Sequence, residues 1–109
     1  MERPGHENCP CMETCPLNRA LGLIGGKWKM QSLCALSNNG PTRYNRLKKT
    51  LDGVSNTVLA NALRELEEDG LVLRREYLEV PVRVEYEITA PGRALVPILD
   101  RLGDWSMGL

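Results

Sequence analysis

The 109-residue chain has no phenylalanine and a single histidine, His6. No serine or cysteine has an evident base partner in sequence, so no catalytic set is present and an enzyme is not expected. There is no apolar run of about 18 residues and no basic–apolar–small leader, which predicts a soluble, cytoplasmic protein with no membrane partner. Acidic residues are missing between Glu13 and Asp52, while Arg19, Lys27, Lys29, Arg43, Arg46, Lys48 and Lys49 all lie there. The compensating acids cluster later, at Glu65, Glu67, Glu68 and Asp69. A formal net charge of zero argues against a nucleic-acid binder only if charge is mixed; here it conceals one basic and one acidic surface. Four cysteines, Cys9, Cys11, Cys15 and Cys34, in a chain without a leader point to reduced thiols rather than a disulfide framework.

The length suits one domain with a modest core. Residues 1–14 contain Pro4, Gly5 and Pro10 and no apolar periodicity, and read as a flexible, cysteine-containing arm. Structure is expected from Cys15 onward, with Pro16 at the first helical position and Cys15 as its N-cap. The helix Pro16–Ile24 should bury Leu17, Ala20, Leu21 and Ile24, and Gly25-Gly26 should end it. A second helix, Lys27–Ser37, carries Trp28, Met30, Leu33, Cys34 and Leu36, with Cys34 expected in the core. Gly25-Gly26-Lys27-Trp28 is no phosphate loop, because Leu21 and Trp28 stand where glycine and a hydroxyl residue are needed. A short helix, Arg43–Leu51, then turns Tyr44, Leu47 and Leu51 inward and Arg43, Arg46, Lys48 and Lys49 outward.

Asp52-Gly53-Val54 is a tight turn into the stretch Ser55–Gly70. Ser55 is a helix cap, and Val58, Leu59, Ala62, Leu63 and Leu66 recur at helical spacing. The opposite face begins small, uncharged and rich in hydrogen-bonding groups: Thr57, Ala60, Asn61 and Arg64. Such a face suits a groove with phosphate walls and base edges on its floor; the plainer alternative is a core helix with a polar outer side. Two short helices joined by a Gly-containing turn form the helix-turn-helix pattern. The period then changes to two, over residues 71–78 and 83–88, which predicts a β-hairpin wing with Glu79-Val80-Pro81-Val82 at its tip and Arg83, with Arg75, flanking it. Thr89 caps a last helix over Arg93–Met107 whose Leu95, Val96, Ile98, Leu99, Leu102, Trp105 and Met107 cover more of its surface than one small core needs, suggesting a dimer interface. The expected fold is therefore mainly α with a small β-hairpin wing, in the order α-α-(β)-α-α-β-β-α. It is a winged helix-turn-helix over residues 15–109, paired through its first and last helices.

Cys15-Pro16, Leu21 to Ile24, Gly25-Gly26-Lys27-Trp28, Arg43-Tyr44-Asn45-Arg46-Leu47 and Ser55 with Leu59 occur in a fixed order. Leu63-Arg64-Glu65-Leu66-Glu67-Glu68-Asp69-Gly70-Leu71-Val72, the hairpin residues Val80 to Thr89 and Gly92 complete it. In this combination the chain resembles the HxlR-type winged helix-turn-helix transcriptional regulators, close to the MarR group, over about residues 15 to 105. The resemblance implies a homodimer on double-stranded DNA, on an inverted-repeat operator, with no cofactor. It places Asn56, Thr57, Asn61 and Arg64 in contact with the DNA, Ser55 and Asn56 on base or phosphate alike, and Arg43, Lys48 and Arg83 on the backbone. Arg46 and Lys49 read equally well as a solvated face.

Some regulators of this type sense oxidants or electrophiles through a cysteine matching Cys15. An N-cap thiol at the positive end of a helix favours thiolate, which supports a redox role with Cys9 or Cys11 as partner. Cys9 and Cys11 depart from the common family pattern. The alternative functions are a winged-helix protein-interaction module, which would show no DNA affinity, and a metal-responsive regulator holding an ion through His6, Cys9, Cys11 and Cys15. That spacing is unlike the usual paired C-x2-C, so no metal is the preferred reading.

Overall fold

The computed structural model describes residues 15–109. The elements are α1 (Pro16–Ile24), α2 (Lys27–Asn39), β1 (Thr42–Arg43), α3 (Tyr44–Thr50), α4 (Asn56–Glu68), β2 (Val72–Tyr77), β3 (Arg83–Ile88) and α5 (Ala90–Met107). A three-stranded antiparallel sheet in the order β1-β3-β2 flanks the helices, as expected for a winged helix. The readings for residues 1–14, including His6, Cys9 and Cys11, fall outside the described residues.

Caps explain most boundaries. Ser55 Oγ accepts from the Val58 N–H at 3.2 Å, and Thr89 Oγ1 accepts from the Gly92 N–H at 3.2 Å, each satisfying a donor that the first helical turn leaves open. α5 starts at Ala90, three residues before the expected Arg93, because Pro91 is accepted in the first turn. It continues through Pro97, which has no N–H to offer the preceding turn. α2 runs past Ser37 to Asn39 and stops where Gly40 adopts φ 71°, its N–H donating to the Leu36 carbonyl at 3.0 Å. Arg43, expected to open α3, is instead drawn with Thr42 into the sheet, Thr42 opposite Tyr86 and Arg43 opposite Glu85. Buried Thr42 donates its hydroxyl to the Gly40 carbonyl at 2.7 Å.

Without phenylalanine, the core is built largely from leucine: Leu33 and Leu36 of α2, Leu47 of α3, and Leu59, Leu63 and Leu66 of α4, closed by Val72 and Ile88 from the hairpin. The α4–β2 turn is fastened to α5 at one joint. Thr89 donates its hydroxyl to the Gly70 carbonyl at 2.7 Å and its N–H to the Leu71 carbonyl at 3.1 Å. Gly92 lies so close beneath that a Cβ there would overlap the Leu71 carbonyl oxygen and sit 2.8 Å from Ile88 Cγ1.

The expected burial of α1 within its own chain is not found. No residue of α1 is buried, and Leu17 and Leu21 are 51 % and 54 % exposed. Among the described residues α1 makes no extended contact with another element. Ile98, Leu102, Trp105 and Met107 of α5 are likewise exposed. The chain is elongated, 56 × 29 × 24 Å, with a radius of gyration of 15.9 Å where a compact chain of this length has about 13 Å. Periodicity reveals that an apolar face exists; it carries no information about which molecule covers it. Val58, placed on the apolar face of α4, is also exposed, and Cys34 is half-buried rather than core. No described helix is long and apolar enough to cross a membrane.

Candidate nucleic-acid interface

α4 buries Leu59, Ala62, Leu63 and Leu66 and leaves Asn56, Thr57, Asn61 and Arg64 on its exposed side. Ser55, at its start, is exposed too. Two of the four candidate base-reading side chains are linked to each other: Arg64 donates to Asn61 Oδ1 at 3.1 Å, and its guanidinium also lies 3.5 Å from Glu68. All three are exposed, so these bonds exchange readily with water or with a ligand. Asn56 is tied differently. Tyr44 of α3 donates its hydroxyl toward the Asn56 carbonyl and its Oδ1, both at 3.2 Å, so α3 sets where α4 begins. Burial and the neighbouring Tyr86 push the Tyr44 phenol above its ordinary pKa, which keeps that proton in place.

The basic run divides on folding. Lys29 is withdrawn: its side chain is only 11 % exposed and Nζ stands 3.6 Å from Glu65, bracing α2 against α4. An acid-free stretch gave no hint of this pair, because its partner lies thirty-six positions along the chain. Arg43, Arg46 and Lys49 stay exposed, Lys48 is half-buried, and none of the four has an acidic partner among the described residues. Arg43, Arg46 and Lys49 line one wall of an open groove of about 590 Å³, with Tyr44 and Asn45; Val82, Arg83 and Val84 of the wing form the other.

The wing holds its own charges. Arg83, expected to offer a cation to the DNA backbone, is bound to Glu79 at 3.0 Å and Glu85 at 3.1 Å and stacks 4.0 Å over the Tyr77 ring. Arg75 pairs with Glu87 at 3.2 Å and Arg74 with Glu76 at 3.5 Å. A hydrogen bond to Tyr86, then the nearby Glu76, raises the Arg74 pKa and keeps it charged. Arg75–Glu87 is a diagonal cross-strand pair, legible only once the register is known; the other pairs lie two to four residues apart along the chain.

Cys15 does occupy the N-cap of α1, in extended backbone geometry, but its side chain makes no capping hydrogen bond and the residue is only 2 % exposed. Burial, reinforced by the Asp100 carboxylate, raises the Cys34 pKa, so that thiol stays protonated at neutral pH. Alkylation of Cys34 should therefore be slow at neutral pH and accelerate as pH rises, as peptide mass mapping after iodoacetamide pulses will register; a pH-independent rate would contradict it. Among the described residues no three His, Cys, Asp or Glu side chains converge as a metal-binding group.

Known proteins share this arrangement. The chain is 41 % identical over 96 residues to a helix-turn-helix-type transcriptional regulator of Halalkalibacterium halodurans, covering 88 % of this chain and 85 % of that one. A MarR-family transcriptional regulator structure from Porphyromonas gingivalis superposes with a TM-score of 0.80 at 33 % identity, over 88 % of this chain and 93 % of that one. The redox regulator HypR in its oxidised form gives a TM-score of 0.78 at 37 % identity, over 87 % and 97 % of the two chains. The model of HxlR-like helix-turn-helix proteins matches residues 23–109. The chain belongs to that HxlR-like helix-turn-helix family, as a transcriptional regulator of helix-turn-helix type and not an enzyme.

Proposed function

We propose that this regulator acts in the cytoplasm as a homodimer on an inverted-repeat operator, with α4 of each subunit in a major groove. The exposed face of α4 carries the reading: a cap serine followed by Asn56, Thr57, Asn61 and Arg64, set beside an acid-free α3. Asn61 and Arg64 present amide and guanidinium groups suited to adenine and guanine edges. Ser55, Arg43 and Lys48 fall to phosphates. The internal bonds of Arg83 support a role in holding the wing's shape instead of the direct phosphate contact first expected.

Arg64→Ala should weaken operator binding by about 1–3 kcal/mol and relax preference at one base pair. Competition titrations with operators changed one base pair at a time will measure both, and equal affinity for every sequence would remove Arg64 from the site.

A responsive Cys15 is the finer part of the proposal, supported by the likeness to a redox regulator and by the placing of Cys15 at the head of α1. The thiolate would attack hydrogen peroxide, breaking its O–O bond to give sulfenic acid and hydroxide, and a second thiol, Cys9 or Cys11, would then displace water from the sulfenic acid to form a disulfide. Operator release on mild oxidation by wild type but not by Cys15→Ser is the expected result. If both proteins respond alike, the switch lies elsewhere.

A further inference from the structure

We propose that the groove between α3 and β3 is a track for one sugar–phosphate strand, in which α3 alone supplies net positive charge and the wing supplies an apolar wall. This rests on the DNA-binding reading above and divides the work within it. Residues 72–88 contain three arginines and four glutamates, so the hairpin as a whole is not cationic. Each arginine lies within 3.5 Å of a carboxylate on the same hairpin. A phosphate arriving at the wing finds cations already neutralised, with acids beside them that repel it.

The facing wall is the reverse. Residues 43–50 contain four cations and no acid. Arg46 and Lys49 are exposed and three positions apart on α3, hence neighbours on one helix face, and both line the groove. They are therefore assigned to phosphates, not to a merely solvated surface. Opposite them stand Val82 and Val84. Val82 is 55 % exposed, an apolar group at a charged rim that gains nothing from water. A nucleic-acid strand has the matching two-sided chemistry: anionic oxygens on one side and the C–H faces of its sugars on the other. A small anion such as sulfate would satisfy the α3 wall and leave the valines without a partner.

The test is the salt dependence of binding to a mixed-sequence duplex two helical turns long, so that no operator need be known. The logarithm of affinity should fall linearly with that of salt concentration. Arg46→Gln and Lys49→Gln should each make the slope shallower by about 0.9, and the double variant by about twice that. The charge-balanced double variant Arg75→Gln/Glu87→Gln should leave the slope unchanged. Val82→Glu should weaken binding more than Val82→Thr does. Unchanged slopes for both α3 variants, with wild type binding normally, would overturn the track while leaving DNA binding intact. A shallower slope for the wing pair would overturn the apolar-wall assignment. A wild-type protein that binds no duplex would remove the DNA reading and this proposal with it. Circular dichroism melts of each variant show whether a loss of affinity is a loss of fold.

Discussion

Trp105→Glu should convert the dimer to a monomer and weaken binding to an inverted-repeat operator by roughly 10²–10⁴-fold, the advantage that linking two half-site readers confers. Trp105 is 64 % exposed near the end of α5, in line with Ile98 and Leu102, which are exposed as well. Most of that aromatic surface stays in water in the single chain, and in the proposed dimer a second chain would cover it. Buried opposite its symmetry mate near a two-fold axis, a glutamate would bring two like charges together out of water. Sedimentation equilibrium gives the oligomeric state and footprinting the operator affinity. The core centred on Leu33, Leu36, Leu59 and Leu63 is remote from this face, so the monomer should keep its helical content. A variant that stays dimeric with full operator affinity would place the interface elsewhere, and Leu21→Glu then asks whether α1 carries it alone.

Gly92→Ala should be the most damaging single-methyl change in the described chain, costing about 3 kcal/mol. The cause is space, not conformation. The added carbon would meet the Leu71 backbone carbonyl, which is pinned by the Thr89 N–H, and the Ile88 side chain, which is buried. Neither can swing aside as the tip of a long side chain can. Relief requires α5 to lift from the sheet, which breaks the Thr89 hydroxyl bond to Gly70 as well. For a domain of this size the melting temperature should fall on the order of 10–20 °C. Thermal denaturation at fixed protein concentration measures this, since a dimer's melting point depends on concentration. A shift of only a degree or two would mean that α5 is seated less tightly than its geometry indicates.

What was legible in the sequence was what short-range chemistry determines. Ser55 and Thr89 announced two helix starts because a cap acts on an N–H three residues away. The hairpin was visible because alternation is a property of the strand itself. The readable face of α4 followed from the same local rule. Lys29 bound to Glu65 and Thr42-Arg43 added to the sheet were hidden, because each depends on which segments meet; the pairs of Arg83 with Glu79 and Glu85 are local, but spacing alone did not mark them. Charge counting could mark the basic region but not which cations would be neutralised on folding. Arg83 is thus ion-paired on the wing, while Arg46 and Lys49 stay exposed and enter the site only as part of the proposed backbone track.

One consequence follows from α1 standing apart from its own subunit. Nine residues are too few to hold a helix in water without help, since nucleation consumes most of what so few hydrogen bonds return. In the proposed dimer its order would come from the second subunit, whereas Cys15 just ahead of it is already buried within its own chain. The first segment of the folded domain is then a gauge of assembly. On dilution below the dimer dissociation constant its amides should exchange at nearly random-coil rates while those of α4 remain protected.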